Sequence, residues 1–520
     1  MSSKTFAAID VGSFELNMKI FEFAGKNSMR ELDSITQHID LGTDTYAEGK
    51  ISNEKMDELC RTLKEFADIM KSYQVSAYKA YGTSAIRETE NTHIVQDQIE
   101  QRTGIKVEIL SNSEQRFLDY KSIASKGESF RKIIEGKTAI VDIGGGSIQL
   151  SLFDNDTLVS TQNLRLGVLR LQELLHHLNA KSTQLEYLID EMATAQLSTY
   201  KKLYLKDREI ENIIIVDDYI SPWAVKRARQ EEKMENISKA VLHKDEFETL
   251  MNMLRSNGTM EIARMMDIAE EKVPLVFISA VLTKRIAEMM GARRIWAPGV
   301  TLCDGIAYEY AEQHKMFRGE HDFEKDIIAC AMNISKRYNG SRKRAETLEK
   351  LTATIFDSMK KVHGLGARER LYLRLAAILH DCGKYISLVN IGETSYNIIM
   401  ATEIIGLSHA EREIVANVVR FNHSSFAYYN GIKNGGTQLD RESYLVVAKL
   451  TAILRLANSM DRSHKQKLKG VQAAFKDNQL ILTVNTMEDI TLEKGFFETS
   501  IAFFKEVFSM TPVLKQKKNF

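Results

Sequence analysis

The sequence predicts an α/β fold built from two related lobes, followed by an all-α domain and a small α+β piece. Three observations predict it. One Asp-Gly hairpin pattern occurs twice, about 130 residues apart, which is the spacing of a duplicated lobe rather than of a short repeat. The apolar period shifts from two to that of a helix at Phe323 and keeps it to Ser463. After Gly470 the pattern alternates again before a last helical stretch.

The first lobe, residues 1–125, opens on "FAAIDVGSFELNMKIFEF". An apolar strand reaches Asp10, turns at Gly12, and returns with Leu16, Met18 and Ile20 apolar and Asn17 and Lys19 polar. That is period two, the mark of a hairpin strand with one buried face. The second lobe, residues 126–315, contains "TAIVDIGGGSIQLSLFD". Aligning Asp142 with Asp10 places Gly144 on Gly12, Ile148 on Leu16, Leu150 on Met18 and Leu152 on Ile20. The glycines open a second strand rather than a helix, and no GK[ST] follows. Neither a dinucleotide-binding turn nor a Walker loop fits. Glycine lets backbone N–H groups approach an anion, and an aspartate at a strand end holds a hard cation directly or through water. Two matched loops therefore predict a phosphate cleft between the lobes.

Residues 323–465 read as successive amphipathic helices and residues 466–520 as the small α+β appendage. Only four prolines interrupt the chain, which suits long helices. Two short basic stretches, "HKQKLKG" and the terminal "KQKKNF", read as solvated charge.

Composition narrows the function. Seventy lysines and arginines balance seventy aspartates and glutamates, so general nucleic-acid binding gains no support. Four scattered cysteines without a CxxC argue against a disulfide framework and predict a cytoplasmic protein. The N-terminal "MSSKTFAAID" carries no signal-peptide core, and no apolar run approaches the roughly 18 residues of a membrane span.

The two loops, together with "YGTSAIRET", "VEILSNSEQRFLDY", "NLRLGVLRLQELL" and "LAAILHDCGKYIS", resemble the exopolyphosphatase/guanosine pentaphosphate phosphohydrolase (Ppx/GppA) family along nearly the whole chain. The resemblance implies a two-lobed actin-like ATPase (ribonuclease H-like) fold and, in the long form, a helical HD-like domain. It implies a hydrolase that removes terminal phosphate from inorganic polyphosphate or the 5′-phosphate of guanosine pentaphosphate, with polyphosphate or a guanosine alarmone as its partner and a homodimer as its assembly. A divalent cation, Mg2+ by first choice, would be held by Asp142 and Asp10. Phosphate contacts would fall on Gly12, Ser13, Thr83, Ser84, Gly144, Gly145, Gly146 and Ser147, with Arg87 as a clamp. His380, Asp381 and Asp461 match parts of a metal-binding HD motif whose upstream histidine position, near "RAETLEKLTA", holds no histidine.

The departures from the family bear on the chemistry. Its water-activating glutamate falls on Gln115, and an amide accepts no proton at neutral pH. Glu114 is then the base by elimination. The family's "GGGSTEL" reads "GGGSIQL" here, with Gln149 in place of a glutamate. Phe14 and Glu15 crowd and charge the first loop, Asp217 and Asp218 replace a glycine-rich segment, and "LCDG" at 302–305 lacks a basic residue. Two readings stand. One is a metal-assisted phosphohydrolase with Glu114 and Asp142 as its carboxylates. The other is a family member that keeps the cleft, has lost the chemistry, and senses polyphosphate or an alarmone.

Overall fold

The computed structural model describes residues 4–24, 29–216, 219–230, 240–316, 319, 321–429, 439–468, 470–476 and 478–517. It divides into two compact units, Met1–Asp326 and Ile327–Phe520.

The first unit holds the two sheets. Strands β1 (Lys4–Val11), β2 (Glu15–Phe23), β3 (Met29–His38), β4 (Ala77–Gly82) and β5 (Val107–Ile109) form one, in the order β3-β2-β1-β4-β5. Strands β6 (Thr138–Ile143), β7 (Ile148–Phe153), β8 (Leu158–Leu164), β9 (Asn212–Val216), β10 (Val241–His243) and β11 (Arg294–Trp296) form the other, in the order β10-β11-β9-β6-β7-β8. The pairings repeat from sheet to sheet. β1–β2 and β6–β7 are antiparallel, as are β2–β3 and β7–β8, while β1–β4 and β6–β9 are parallel. The two hairpins also close alike: the Gly12 N–H donates to the Glu15 carbonyl at 3.1 Å, and the Gly144 N–H to the Ser147 carbonyl at 3.0 Å. The repeat read from Asp10 and Asp142 is thus a repeat of sheet topology, and the expected two-lobed α/β fold is observed.

Each sheet is covered by helices. On the first, Ala7, Ile9 and Val11 of β1 meet Leu59, Leu63 and Phe66 of the helix Asn53–Ser72. The opposite residues, Phe6 and Ala8, meet Leu302, Ile306 and Ala307 of the helix Leu302–Gln313. On the second sheet the helix Val273–Met290 supplies Leu275, Val276, Leu282 and Ile286.

The return strands differ from the simple alternation of their sequence. β2 alternates, but β7 is buried on both faces. Its polar side is covered through the helix Asn112–Ala124, whose Arg116 donates to Gln149 Oε1 and to Thr161 Oγ1, each at 2.7 Å; Thr161 in turn bonds Ser151 at 2.9 Å. Buried polar groups need such partners. The polar side of β2 has an analogous tie, Lys19 Nζ to Asp304 at 3.0 Å, with Glu31 at 3.0 Å beside it. The helices carrying Arg116 and Asp304 both start with reciprocal caps, Ser111 with Glu114 and Thr301 with Asp304. They pack together at Gly305, where a Cβ would stand 2.0 Å from the Leu118 carbonyl oxygen.

The second unit takes in the helices Arg342–Ser358, Ala367–Leu379, Ile391–Ala401, His409–His423 and Arg441–Ser459. Beyond them, β12 (Gln472–Lys476) and β13 (Gln479–Asn485) pair antiparallel. The helix Thr491–Phe508 then crosses over to β14 (Thr511–Lys517), parallel to β13. The stretch "KQKKNF" therefore begins inside a strand, its last three residues lying outside the described residues, as Lys469 of "HKQKLKG" does. All four cysteines are buried, and none is in a disulfide. Among the described residues no helix is long and apolar enough to cross a membrane.

The contact at Gly305 leaves no room for a methyl group. Gly305→Ala is expected to destabilise the first unit by about 1–3 kcal/mol, the usual cost of overpacking, read as a lower urea midpoint. An unchanged midpoint would contradict the close contact.

Candidate functional site

The two hairpin loops meet at contact distance. A Cβ on Gly145 would lie 3.1 Å from the Ser13 Cβ and 2.9 Å from the Leu169 Cδ1, and one on Gly146 would lie 2.6 Å from the Tyr46 hydroxyl. A Cβ on Gly167 would come within 2.2 Å of the Gly145 carbonyl oxygen. None of Gly12, Gly144, Gly145 and Gly146 has a positive φ. For Gly145 and Gly146 it is therefore the close approach of neighbouring atoms, and not a left-handed backbone, that requires glycine.

Beside this contact lies a cavity of ≈ 80 Å³, room for several waters. Asp10, Gly12, Ser13 and Thr83 line it from the first lobe, Asp142, Gly144 and Gly145 from the second, and Gln115 and Asp119 from the helix Asn112–Ala124. Glu15, Tyr219 and Thr301 line it as well. Asp10 and Asp142 reach it because each sits near the end of its strand, paired across its hairpin with Asn17 and Gln149.

Other residues expected to touch phosphate stand behind the wall. Ser84 is buried, and Arg87 donates to the Leu110 carbonyl at 2.8 Å, to Gln115 Oε1 at 3.3 Å and to Ser84 Oγ at 3.4 Å. Its guanidinium thus holds Gln115. Gly146 lies under Tyr46, and Ser147 is buried in the hairpin closure. Gln149 is held by Arg116. Glu114 does not line the cavity either. Its carboxylate accepts the Ser111 N–H at 3.0 Å, and its own N–H donates to Ser111 Oγ at 3.3 Å. The carboxylate expected to act as base is the cap of its helix. Asp217 and Asp218 lie outside the described residues.

Two groups on the cavity wall have partners that sequence reasoning missed. Glu15 is not a bare negative charge: both its oxygens accept from Lys272 Nζ of the second lobe, at 2.7 and 2.9 Å. Ser13 Oγ accepts the Ala85 N–H at 3.2 Å and bonds the Tyr46 hydroxyl at 3.2 Å. Burial raises the pKa of that hydroxyl and keeps it protonated. Arg170 lies over the Tyr46 ring, donates to the Gly146 carbonyl at 3.1 Å and pairs with Glu88 of the first lobe at 2.7 Å. Asp119, four residues after Gln115, was not singled out by any motif; the i, i+4 spacing on a helix announced by Ser111-x-x-Glu114 is the signal that finds it.

The HD-like residues of the second unit form a different kind of cluster. His380 is fully buried, with Nδ1 on the Ala377 carbonyl at 2.9 Å and Nε2 3.5 Å from Asp381. Asp461 accepts the Gln466 N–H at 2.8 Å. Arg344, the first residue of "RAETLEKLTA", is only 2% exposed and interacts electrostatically with both Asp461 and Asp381. A fixed guanidinium among these carboxylates opposes a second cation. Among the described residues no group of three or more His, Cys, Asp or Glu is placed to hold a metal. The residues here do not fit a metal centre.

Two sheets of repeated topology, with paired Asp-Gly hairpins meeting beside one cavity, define an actin-like ATPase (ribonuclease H-like) fold. The model of the Ppx/GppA phosphatase family matches residues 20–314, and that of its domain III matches residues 328–499; the chain belongs to this family. A guanosine-5′-triphosphate,3′-diphosphate pyrophosphatase of Photobacterium profundum is 22% identical over 495 residues, 93% of this chain and 92% of its own length. Exopolyphosphatase 1 of Mycobacterium tuberculosis is 27% identical over 164 residues, 31% of this chain and 46% of its own. The crystal structure of an exopolyphosphatase from Cytophaga hutchinsonii covers 61% of this chain and 100% of its own, with a TM-score of 0.53 at 19% identity. That last likeness is one of fold.

Burial pushes the pKa of His380 down to about 3 and lowers those of His363 and His423 as well. As the pH falls, the unfolded chain takes up these protons before the folded one does. Stability contributed by neutral His380 is therefore present above its ordinary pKa of 6.5 and is lost as the pH falls toward 3. Urea midpoints of the second unit are expected to drop below about pH 6.5, with a slope of up to about 1.4 kcal/mol per pH unit from this residue. His380→Asn should flatten that slope; an unchanged slope would contradict the assignment.

Proposed function

We propose that the protein is a phosphohydrolase that removes terminal phosphate from inorganic polyphosphate, or the 5′-phosphate of guanosine pentaphosphate, by attack of water in the interlobe cavity. One observation carries this reading. Asp10 and Asp142, the matched carboxylates of the two hairpins, open onto a single cavity together with the glycines of both loops. The names of the relatives, a guanosine-5′-triphosphate,3′-diphosphate pyrophosphatase and an exopolyphosphatase, support the same substrate classes.

The electrostatics of the wall say what the substrate must bring or meet. Asp10, Glu15, Asp119 and Asp142 all line the cavity, and a polyanion enters such a place only with cations. Lys272 already neutralises Glu15. The remaining oxygens suit Mg2+, which is commonly held by one or two carboxylates plus substrate phosphates, without an all-protein cage. Asp10 and Asp142 would hold it. When bound, the ion would neutralise charge on the phosphate oxygens.

The protein's own groups do the rest. The Gly12 and Gly144 N–H groups are committed to closing the hairpins, so the next amides, of Ser13 and Gly145, are the donors for a phosphate lodged between the loops. Gln115, its oxygen turned to Arg87, offers amide N–H donors to a phosphate oxygen. Phosphoryl transfer rests mainly on such positioning and charge stabilisation. Loss of the family's glutamates does not leave the cavity without carboxylates, which supports turnover over a purely sensing role.

The full chain with Mg2+ is expected to release phosphate from long-chain polyphosphate or from guanosine pentaphosphate. Asp142→Asn should slow release by at least about 100-fold, the scale of a lost transition-state contact. No release from either substrate with Mg2+, Mn2+ or Ca2+ would overturn the reading.

A further inference from the structure

Resting on that reading, the geometry points to Asp119 as the carboxylate that takes the proton from the attacking water. Among the described residues four carboxylates line the cavity. Asp10 and Asp142 are the matched loop pair proposed for the cation. Glu15 is tied through both its oxygens to Lys272. Glu114, outside the cavity, is spent on the cap of its helix. Asp119 remains.

Its position explains how a base can persist when Gln115 cannot serve. Residues four apart lie on one face of a helix, about 6 Å apart along its axis. Gln115 and Asp119 accordingly face the same cavity from the helix Asn112–Ala124. Asp119 is 4% exposed, so its carboxylate is enclosed by protein and by the cavity it lines. A carboxylate missing at one position of the helix is present one turn further on.

The step balances without any further reactant. The water oxygen bonds to the terminal phosphorus, and the bridging P–O bond breaks. The shortened chain, or the guanosine tetraphosphate, leaves with that electron pair. The water proton passes to the Asp119 carboxylate and returns to solvent or to the released phosphate. Gln115, held by Arg87, donates to a phosphate oxygen and orients the group under attack.

The test uses the full chain with Mg2+ and whichever of long-chain polyphosphate and guanosine pentaphosphate the wild type cleaves. Asp119→Asn, nearly isosteric, should lower kcat about 100- to 10,000-fold, the usual range for a lost general base. Calorimetric affinity for the same substrate should stay within about threefold, because the loss is confined to the transition state. Glu114→Gln should keep kcat. Adding Gln115→Glu to Asp119→Asn returns a carboxylate to the same face and should recover at least about tenfold of the lost rate. An Asp119→Asn variant as fast as an active wild type overturns the assignment and leaves the hydrolase reading standing. So does a variant whose affinity falls in step with kcat and whose rate Gln115→Glu does not recover, since that marks a structural residue. A wild type with no turnover overturns the hydrolase reading, and this assignment with it.

Discussion

The contact between the two hairpin loops is the constraint on which the rest of the first unit depends. Gly145 lies against Ser13 and Leu169 and Gly146 against Tyr46, where an added Cβ would force a neighbour to shift, and Gly167 lies against the Gly145 carbonyl at a distance that excludes a side chain. The approach places the two strand-end aspartates on one cavity. Arg170–Glu88 and Lys272–Glu15 then span the lobes on either loop, and the helices Asn112–Ala124 and Leu302–Gln313 pack together at Gly305. A methyl group at any of these glycines would act on the geometry of the cavity before it touched a ligand.

The changes relative to the family pattern make sense as a set. Arg116 and Gln149 form one buried hydrogen-bonded unit with Thr161. A glutamate at 149 would meet the Arg116 guanidinium as a buried ion pair, directed away from the cavity, so the two positions are coupled. Glu15, which looked hostile to phosphate, is matched by Lys272, and Asp304, which looked like a lost basic residue, anchors Lys19 and caps its own helix. In the second unit Arg344 supplies a positive charge among the HD-like carboxylates. Each of these four residues is answered by a partner far away in sequence.

That distance decides what could be read from the chain alone. The duplicated lobes were legible because strand period, Asp and Gly recur in register at Asp10 and Asp142. The helical stretch was legible from its apolar period. The final strand β14 was hidden because "TPVLKQK" carries more charge than apolar alternation, and pairing with β13 decides its state. Within the site, Asp10, Gly12, Ser13, Thr83, Gln115, Asp142, Gly144 and Gly145 came together on one wall. Arg87 was read as a clamp because nothing in the sequence shows that the Leu110 carbonyl and Gln115 claim its guanidinium. Glu114 was read as the base although Ser111-x-x-Glu114 is a capping-box pattern in plain view. Asp119 was passed over although it lies within "VEILSNSEQRFLDY", because the resemblance fixes attention on positions 114 and 115 while the helix carries the same face one turn further.

A crystal structure of the full chain with a short polyphosphate and Mg2+ tests the central claim most directly. Density for the terminal phosphoryl group between the Ser13 and Gly145 amides, with Asp10 and Asp142 on the metal side and Asp119 facing the phosphorus, is the expected result. A phosphate chain bound away from the paired loops, with the cavity beside Asp10 and Asp142 holding only water, would contradict it.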